Sequence, residues 1–121
     1  IKYELVTPQG MYKGGNISPG MDMRYQALSG MTANLPLIQP DNIRSMIGSS
    51  TEEAIRNGVQ LGIEGEIEAM ITRLSSLYPD LKVIISGGNS SHFEKVLKTP
   101  IFAHPLLVLQ GLNEIILHNH S

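Results

Sequence analysis

The chain contains no cysteine, no tryptophan and only two phenylalanines among its 121 residues. Without thiols it can build neither a disulfide framework nor a thiolate zinc site, a condition compatible with a reducing cytoplasm. With four tyrosines completing the aromatic set, packing falls to Leu, Ile, Val and Met. Basic clusters are missing too. Nine Lys and Arg against eleven Asp and Glu give a net charge of −2, which offers no electrostatic footprint for nucleic acid. No apolar run is long enough to span a bilayer. Ile1 to Val6 carries Lys2 and Glu4 and lacks an apolar h-region, so no signal peptide is expected there.

What remains is a globular balance, with 41% hydrophobic and 17% charged residues. The length suits one domain able to bury roughly two thirds of its unfolded-chain surface. "IKYELV" alternates Ile1, Tyr3 and Leu5 with Lys2 and Glu4, the period of a strand with one buried face. "TPQG" turns the chain, and a second strand through Met11 and Tyr12 is expected to pair back as a hairpin. Ser18 can cap a helix with Pro19 at its first position. Met21, Tyr25 and Leu28 then share a face up to about Gly30. "ANLPLIQPDN" reads as a surface loop. Ser50 and Glu53 have capping-box spacing before a helix predicted to run to about Leu77, stopped by Pro79. "LKVIISGGNS" reads as a buried, parallel strand. Ser91 and Glu94 form a second capping box. "LLVLQGLNEIILHN" predicts a last amphipathic helix with Leu109, Leu112 and Ile116 on one side. The order β-β-α-α-β-α-α predicts an α/β fold, with helices flanking a small mixed sheet.

Several patterns admit two readings. "GGNISPG" could offer N–H groups to an anion at a helix start, but Pro19 removes a donor, which favours a structural turn. Ala54, Gly58 and Gly62 recur on one side of the long helix. Interior glycine costs roughly 1 kcal/mol relative to alanine, so either another backbone, helix or ligand approaches closely there or the helix breaks at "NGVQLG". "SGGN" at 86–89 closes a strand where α/β ligands gather, with backbone bare enough for a flat ligand; taken alone, a Gly-Gly pair is more often just a turn. From spacing alone Thr51 helps cap its helix, since Ser50 already offers the box.

Other patterns point to structure. His92 and His104 stand alone, and His118 with His120 falls at a solvated end; zinc takes three or four ligands, so no metal ligand is expected. Glu64, Glu66 and Glu68 read as a wet face. Met11, Met21, Met23 and Met31 read as adaptable core filling. No nucleophilic triad or Walker loop can be assembled.

"GGNISPGMDMRYQALSGMTANLP" resembles the segment of type III pantothenate kinases that reads G-G-x-I-x-P-G, Met-Arg, Ala-Leu and T-A-x-L-P. Gly14, Gly15, Ile17, Pro19, Gly20, Arg24, Ala27, Leu28, Thr32, Ala33, Leu35 and Pro36 fall in register. "IGSSTEEAIRNGVQLG" is similar to that family's I-G-x-x-T-x-x-A stretch. "VIISGGNS" stands in the place of its T-G-G-D-A adenosine motif, and "PLLVLQGLNEI" resembles the end of those chains.

The resemblance implies membership of the acetate and sugar kinase, Hsc70 and actin superfamily, two related ribonuclease H-like domains with ATP between them. Residues 1–121 would be the C-terminal domain of such a kinase. The family's D-x-G-N-T loop, its G-x-D-R motif with the general base, and its D-x-G-T-A loop all precede this region. No catalytic residue is therefore expected in this chain, which is expected to be inactive without its N-terminal half. What the resemblance carries over is a nucleotide contact at Gly87, Gly88 and Asn89 and a pantothenate contact at Thr51. The implied substrates are pantothenate and ATP with Mg. A monovalent cation such as potassium or ammonium is also implied, its ligands mostly outside this chain. A cytoplasmic homodimer is expected, with no nucleic acid or membrane partner. Ser86, Asn89 and Ser90 depart from the motif's Thr, Asp and Ala, which weakens the polar nucleotide contacts relative to the glycine backbone. A transcriptional activator of the Bvg accessory factor type, or a non-catalytic nucleotide-binding relative, is the alternative; intact or degenerate loops upstream of Ile1 would separate these.

Overall fold

The computed structural model describes residues 1–120. The chain divides into two compact units, the first being Ile1–Ile63 and the second starting at Glu64.

The first unit opens with β1 (Lys2–Val6) and β2 (Tyr12–Ile17), an antiparallel pair. Ile1, Tyr3 and Leu5 are half-buried between exposed neighbours, as the alternation predicts. Leu5 pairs with Gly14 but Val6 with Tyr12, so Lys13 has no opposite residue and β2 bulges there. Gly14 sits at the bulge with φ +107°, a conformation that glycine adopts freely. Gly15 follows where β1 runs closest: a Cβ on it would overlap the Tyr3 carbonyl oxygen. The paired glycines thus serve a bulge and a close strand approach, and "GGNISPG" joins strand to helix.

Helix α1 (Met21–Gly30) starts later than the capping pattern predicts. The Ser18 N–H donates to the Ile1 carbonyl at 2.9 Å, which prolongs the strand pairing through Ser18. Gly20 becomes the extended N-cap, with no side-chain cap bond. Met21 and Tyr25 are buried as their spacing predicts. The other methionines of the segment correct the core reading: Met11, Met23 and Met31 are all more than 60% exposed.

Helix α2 (Thr51–Leu77) is continuous across "NGVQLG", so interior glycine does not break it. Ile55, Val59 and Ile63 recur every four residues and are buried in the first unit with Met21, Tyr25 and Ile38. Burying a side chain the size of Ile63 is worth about 1.5–3 kcal/mol, enough to offset the interior glycines. Gly58 and Gly62 lie on an exposed side, and a Cβ on Gly58 would meet nothing within 4 Å.

In the second unit Ile67 and Ile71 continue the buried series. Here β3 (Ile84–Ile85) pairs in parallel with β4 (Phe102–Ala103), and α3 (Ser90–Val96) lies between them in the chain. The parallel sense is as predicted. The length and burial are not, since β3 has two residues and Ile84 is 56% exposed. Its partner was missed in "KTPIFAHP", where Pro100 and Pro105 bracket β4 and confine the ladder. Antiparallel and parallel pairs form two separate sheets, where one mixed sheet is expected. Helix α4 (Leu107–His120) includes His118 and His120 in its last turn, and Leu109, Leu112 and Ile116 are all exposed. Among the described residues no helix is long and apolar enough to cross a membrane.

Candidate functional site

Thr51 is the first residue of α2, and the approach to it is built by the helix itself. The Ser50 hydroxyl oxygen accepts the Glu53 N–H at 3.2 Å, and the Ser50 carbonyl accepts the Ala54 N–H at 2.9 Å. Ser50 is therefore the cap. The reciprocal half of the expected box is shifted by one residue, because the Glu53 carboxylate accepts the N–H of Ser49 at 2.8 Å and its hydroxyl at 2.7 Å. These cap bonds do not use Thr51, which is exposed. Among the described residues the N–H groups of Thr51 and Glu52 meet no acceptor, at a helix start where the backbone carries partial positive charge.

Gly48 explains how the chain reaches this point so closely. A Cβ there would overlap the Ala54 backbone nitrogen and lie 2.6 Å from the Glu53 carbonyl carbon. Farther back, Asn57 Nδ2 donates to the Ser45 carbonyl at 2.8 Å. Gln60 takes the Asp41 N–H on Oε1 at 3.1 Å and donates Nε2 to the Asp41 carbonyl at 2.8 Å. The Tyr25 hydroxyl donates to the same Gln60 Oε1 at 2.9 Å. Burial pushes the Tyr25 phenol above its ordinary pKa and so favours the neutral donor, an effect partly opposed by the Arg56 guanidinium. Gln60 and Asn57 went unremarked in the sequence. The available signal was polar side chains next to the apolar positions Ile55, Val59 and Ile63.

The second candidate region belongs to the other unit. Gly87 has φ +105°, Gly88 follows in the turn, and Asn89 takes the N-cap position of α3 with no side-chain cap bond. Ser90, already helical and 3% exposed, displaces the predicted Ser91–Glu94 box. The Ser90 N–H donates to the Gly87 carbonyl at 3.2 Å, which closes the turn. Gly87, Gly88 and Asn89 are exposed, and a Cβ on Gly88 would meet nothing within 4 Å. The neighbouring Ser86 hydroxyl oxygen is buried and makes no hydrogen bond among the described residues. Thr51 and the Gly87–Asn89 turn are thus two regions, each defined within its own unit.

The acidic run is more than a wet face. Glu68 accepts the N–H groups of Lys98 and Thr99 and the Thr99 hydroxyl, the last at 2.7 Å, so it fastens the chain between α3 and β4. Glu64 lies 3.8 Å from His92 Nε2. The Glu68 carboxyl is held below its usual range mainly by the Thr99 hydroxyl, and Glu53 mainly by the Ser49 N–H. With folded-state pKa values below the unfolded ones, both contributions are present above the ordinary glutamate range and are lost as pH falls through the folded-state values. Among the described residues no three His, Asp or Glu side chains converge to hold a metal ion.

Comparison with known proteins gives these positions a context. Residues 1–73 match the family described as type III pantothenate kinase. A type III pantothenate kinase of Bacteroides fragilis is 47% identical over 121 residues, 100% of this chain and 50% of that protein. One from Phocaeicola vulgatus is 45% identical over 119 residues, 98% of this chain and 49% of its own. Another, from Porphyromonas gingivalis, is 45% identical over 122 residues, with 98% and 50% covered. The chain spans about half the length of these curated relatives.

Proposed function

Because the chain belongs to the type III pantothenate kinase family, we propose that it is the C-terminal domain of an enzyme that transfers the γ-phosphoryl group of ATP to the 4′-hydroxyl of pantothenate, in coenzyme A biosynthesis. The observation that carries this reading is the family match running through the head of α2, where Thr51 is left out of its own helix cap. Its hydroxyl and the open N–H groups beside it suit a polar substrate. The domain is read as ribonuclease H-like, of the acetate and sugar kinase, Hsc70 and actin superfamily. A cytoplasmic homodimer formed in part by α2 fits the exposed Ala54, Gly58 and Gly62 side; Thr51 would then reach pantothenate held largely by the other subunit.

The adenosine of ATP is assigned to the Gly87–Asn89 turn, where the space above Gly88 admits a flat ring against bare backbone. Phosphoryl transfer requires positioned phosphates, neutralising cations and a base near the acceptor hydroxyl. Following the family resemblance, Mg and a monovalent cation are assigned mostly to residues outside this chain. No catalytic step is assigned to a residue here. This half contributes substrate contacts and their geometry.

Two substitutions in the complete kinase test the assignment. Thr51→Val should raise the KM for pantothenate about fivefold to tenfold, the loss of one polar contact, while KM for ATP and Tm stay nearly unchanged. A fall in Tm with unaltered pantothenate kinetics would return Thr51 to a structural role. Gly88→Val should weaken ATP binding about tenfold or more by filling the space where the ring would lie, with pantothenate affinity retained. Calorimetry on both ligands reads it, and equal losses for the two would remove Gly88 from the nucleotide site.

A further inference from the structure

Building on the assignment of Thr51 to pantothenate, we infer that Glu53, Asn57 and Gln60 are positioning residues that lay the segment 41–49 along α2 and so fix where Thr51 is presented. Their spacing of four and then three residues puts them on one side of the helix. Each reaches an earlier residue of the segment in steps of four. Glu53 holds Ser49, Asn57 holds Ser45 and Gln60 holds Asp41. The segment therefore runs back along the helix as the helix advances.

The segment has no helix or strand of its own. From Glu53 to Gln60 the helix rises roughly 10 Å, whereas the eight steps from Asp41 to Ser49 could extend over about 26 Å. Its path is thus slack, and local backbone geometry does not determine it. What holds it is a set of bonds made mostly to its backbone: the Ser49 N–H, the Ser45 carbonyl, and both the N–H and the carbonyl of Asp41. Gln60 is 2% and Asn57 8% exposed, so their amides work where water does not compete and an unmade bond is costly. Within the segment the Ser45 hydroxyl donates to the Ile47 carbonyl at 2.6 Å, which turns the chain toward Gly48 and Thr51.

Gln60 also supports the fold through Tyr25, which provides an internal control. Tyr25→Phe removes a hydrogen bond at the same amide while leaving both bonds to Asp41. The experiment compares Gln60→Met with Tyr25→Phe in the complete kinase. It measures steady-state kinetics for both substrates and amide hydrogen exchange across residues 41–49. Gln60→Met should accelerate exchange in that segment roughly tenfold, as expected for losing a buried hydrogen bond. It should also raise the pantothenate KM about fivefold without altering that for ATP. Tyr25→Phe should lower Tm and change neither readout. Asn57→Ala, which removes one rung, should act in the same direction and serves if Gln60→Met does not fold. The inference is overturned if Gln60→Met and Tyr25→Phe give the same kinetic profile, or if exchange accelerates while the pantothenate KM stays put. An unchanged pantothenate KM in Thr51→Val would instead sink the substrate assignment, and the exchange comparison, which uses no substrate, tells the two failures apart.

Discussion

Gly15→Ala should disrupt the β1–β2 hairpin and lower the Tm of the chain by more than about 10 °C, the equivalent of roughly 2–3 kcal/mol in a domain of this size. The reason is the identity of the atoms that a methyl group would meet. At Gly15 they are backbone: the Tyr3 carbonyl oxygen would be overlapped and the Tyr3 carbonyl carbon would lie at 2.9 Å. A flexible side chain could move aside, but a ladder carbonyl can move only if the strands separate. Gly14 provides the comparison. Its φ of +107° strains any L residue, yet a Cβ there meets nothing within 4 Å, so alanine costs only the conformational penalty of about 1–2 kcal/mol. Gly15→Ala should therefore be the more damaging change of the two. Thermal denaturation followed by circular dichroism ranks them, and a Gly14→Ala variant less stable than Gly15→Ala would contradict the account.

The sequence made the glycine pair visible but not the division of labour within it. A resemblance showed that two glycines belong there, yet only the register shift at Lys13 separates the bulge from the close approach. The same limit appears elsewhere. The ends of helix α2 were legible because a capping serine and a stopping proline mark them, whereas its continuity across "NGVQLG" had two readings until the fold showed it unbroken. Strand β4 was not legible, because two residues between prolines carry no period. At the candidate site, Thr51 is proposed through resemblance, whereas Gln60 needed the fold: its partners lie 19 and 35 residues away, and spacing patterns cannot register contacts at that range. Glu53 was read correctly as part of a cap, with its carboxylate paired to Ser49 where Ser50 is expected. A capping box fixes which residues meet more loosely than which turn they occupy.

The largest kinetic effect is expected from Gly48→Ala in the complete kinase. A Cβ at Gly48 would press on the Ala54 nitrogen and on the Glu53 and Ala54 backbone, which is the first turn of α2. Two relaxations are open. The segment 46–50 can lift away, which breaks the bonds from Ser49 to Glu53, or the first turn can fray and release the Ala54 N–H from the Ser50 carbonyl. Either one moves Thr51, because Thr51 is the hinge between the segment and the helix. A displacement near 1 Å at a substrate-positioning group can cost on the order of a hundredfold in rate, so kcat/KM for pantothenate should fall by about that factor. The buried series at Ile55, Val59 and Ile63 lies beyond the strained turn, so most of the helix stays packed and Tm should fall by only a few degrees, the equivalent of about 1 kcal/mol. ATP affinity should hold, because the Gly87–Asn89 turn belongs to the other unit. The signature is thus a large loss specific to pantothenate with a small loss of stability, more severe than Thr51→Val, because the displaced turn carries the open N–H groups along with the hydroxyl. If Gly48→Ala retained normal pantothenate kinetics while Tm fell, the head of α2 would be a structural cap with no part in holding substrate.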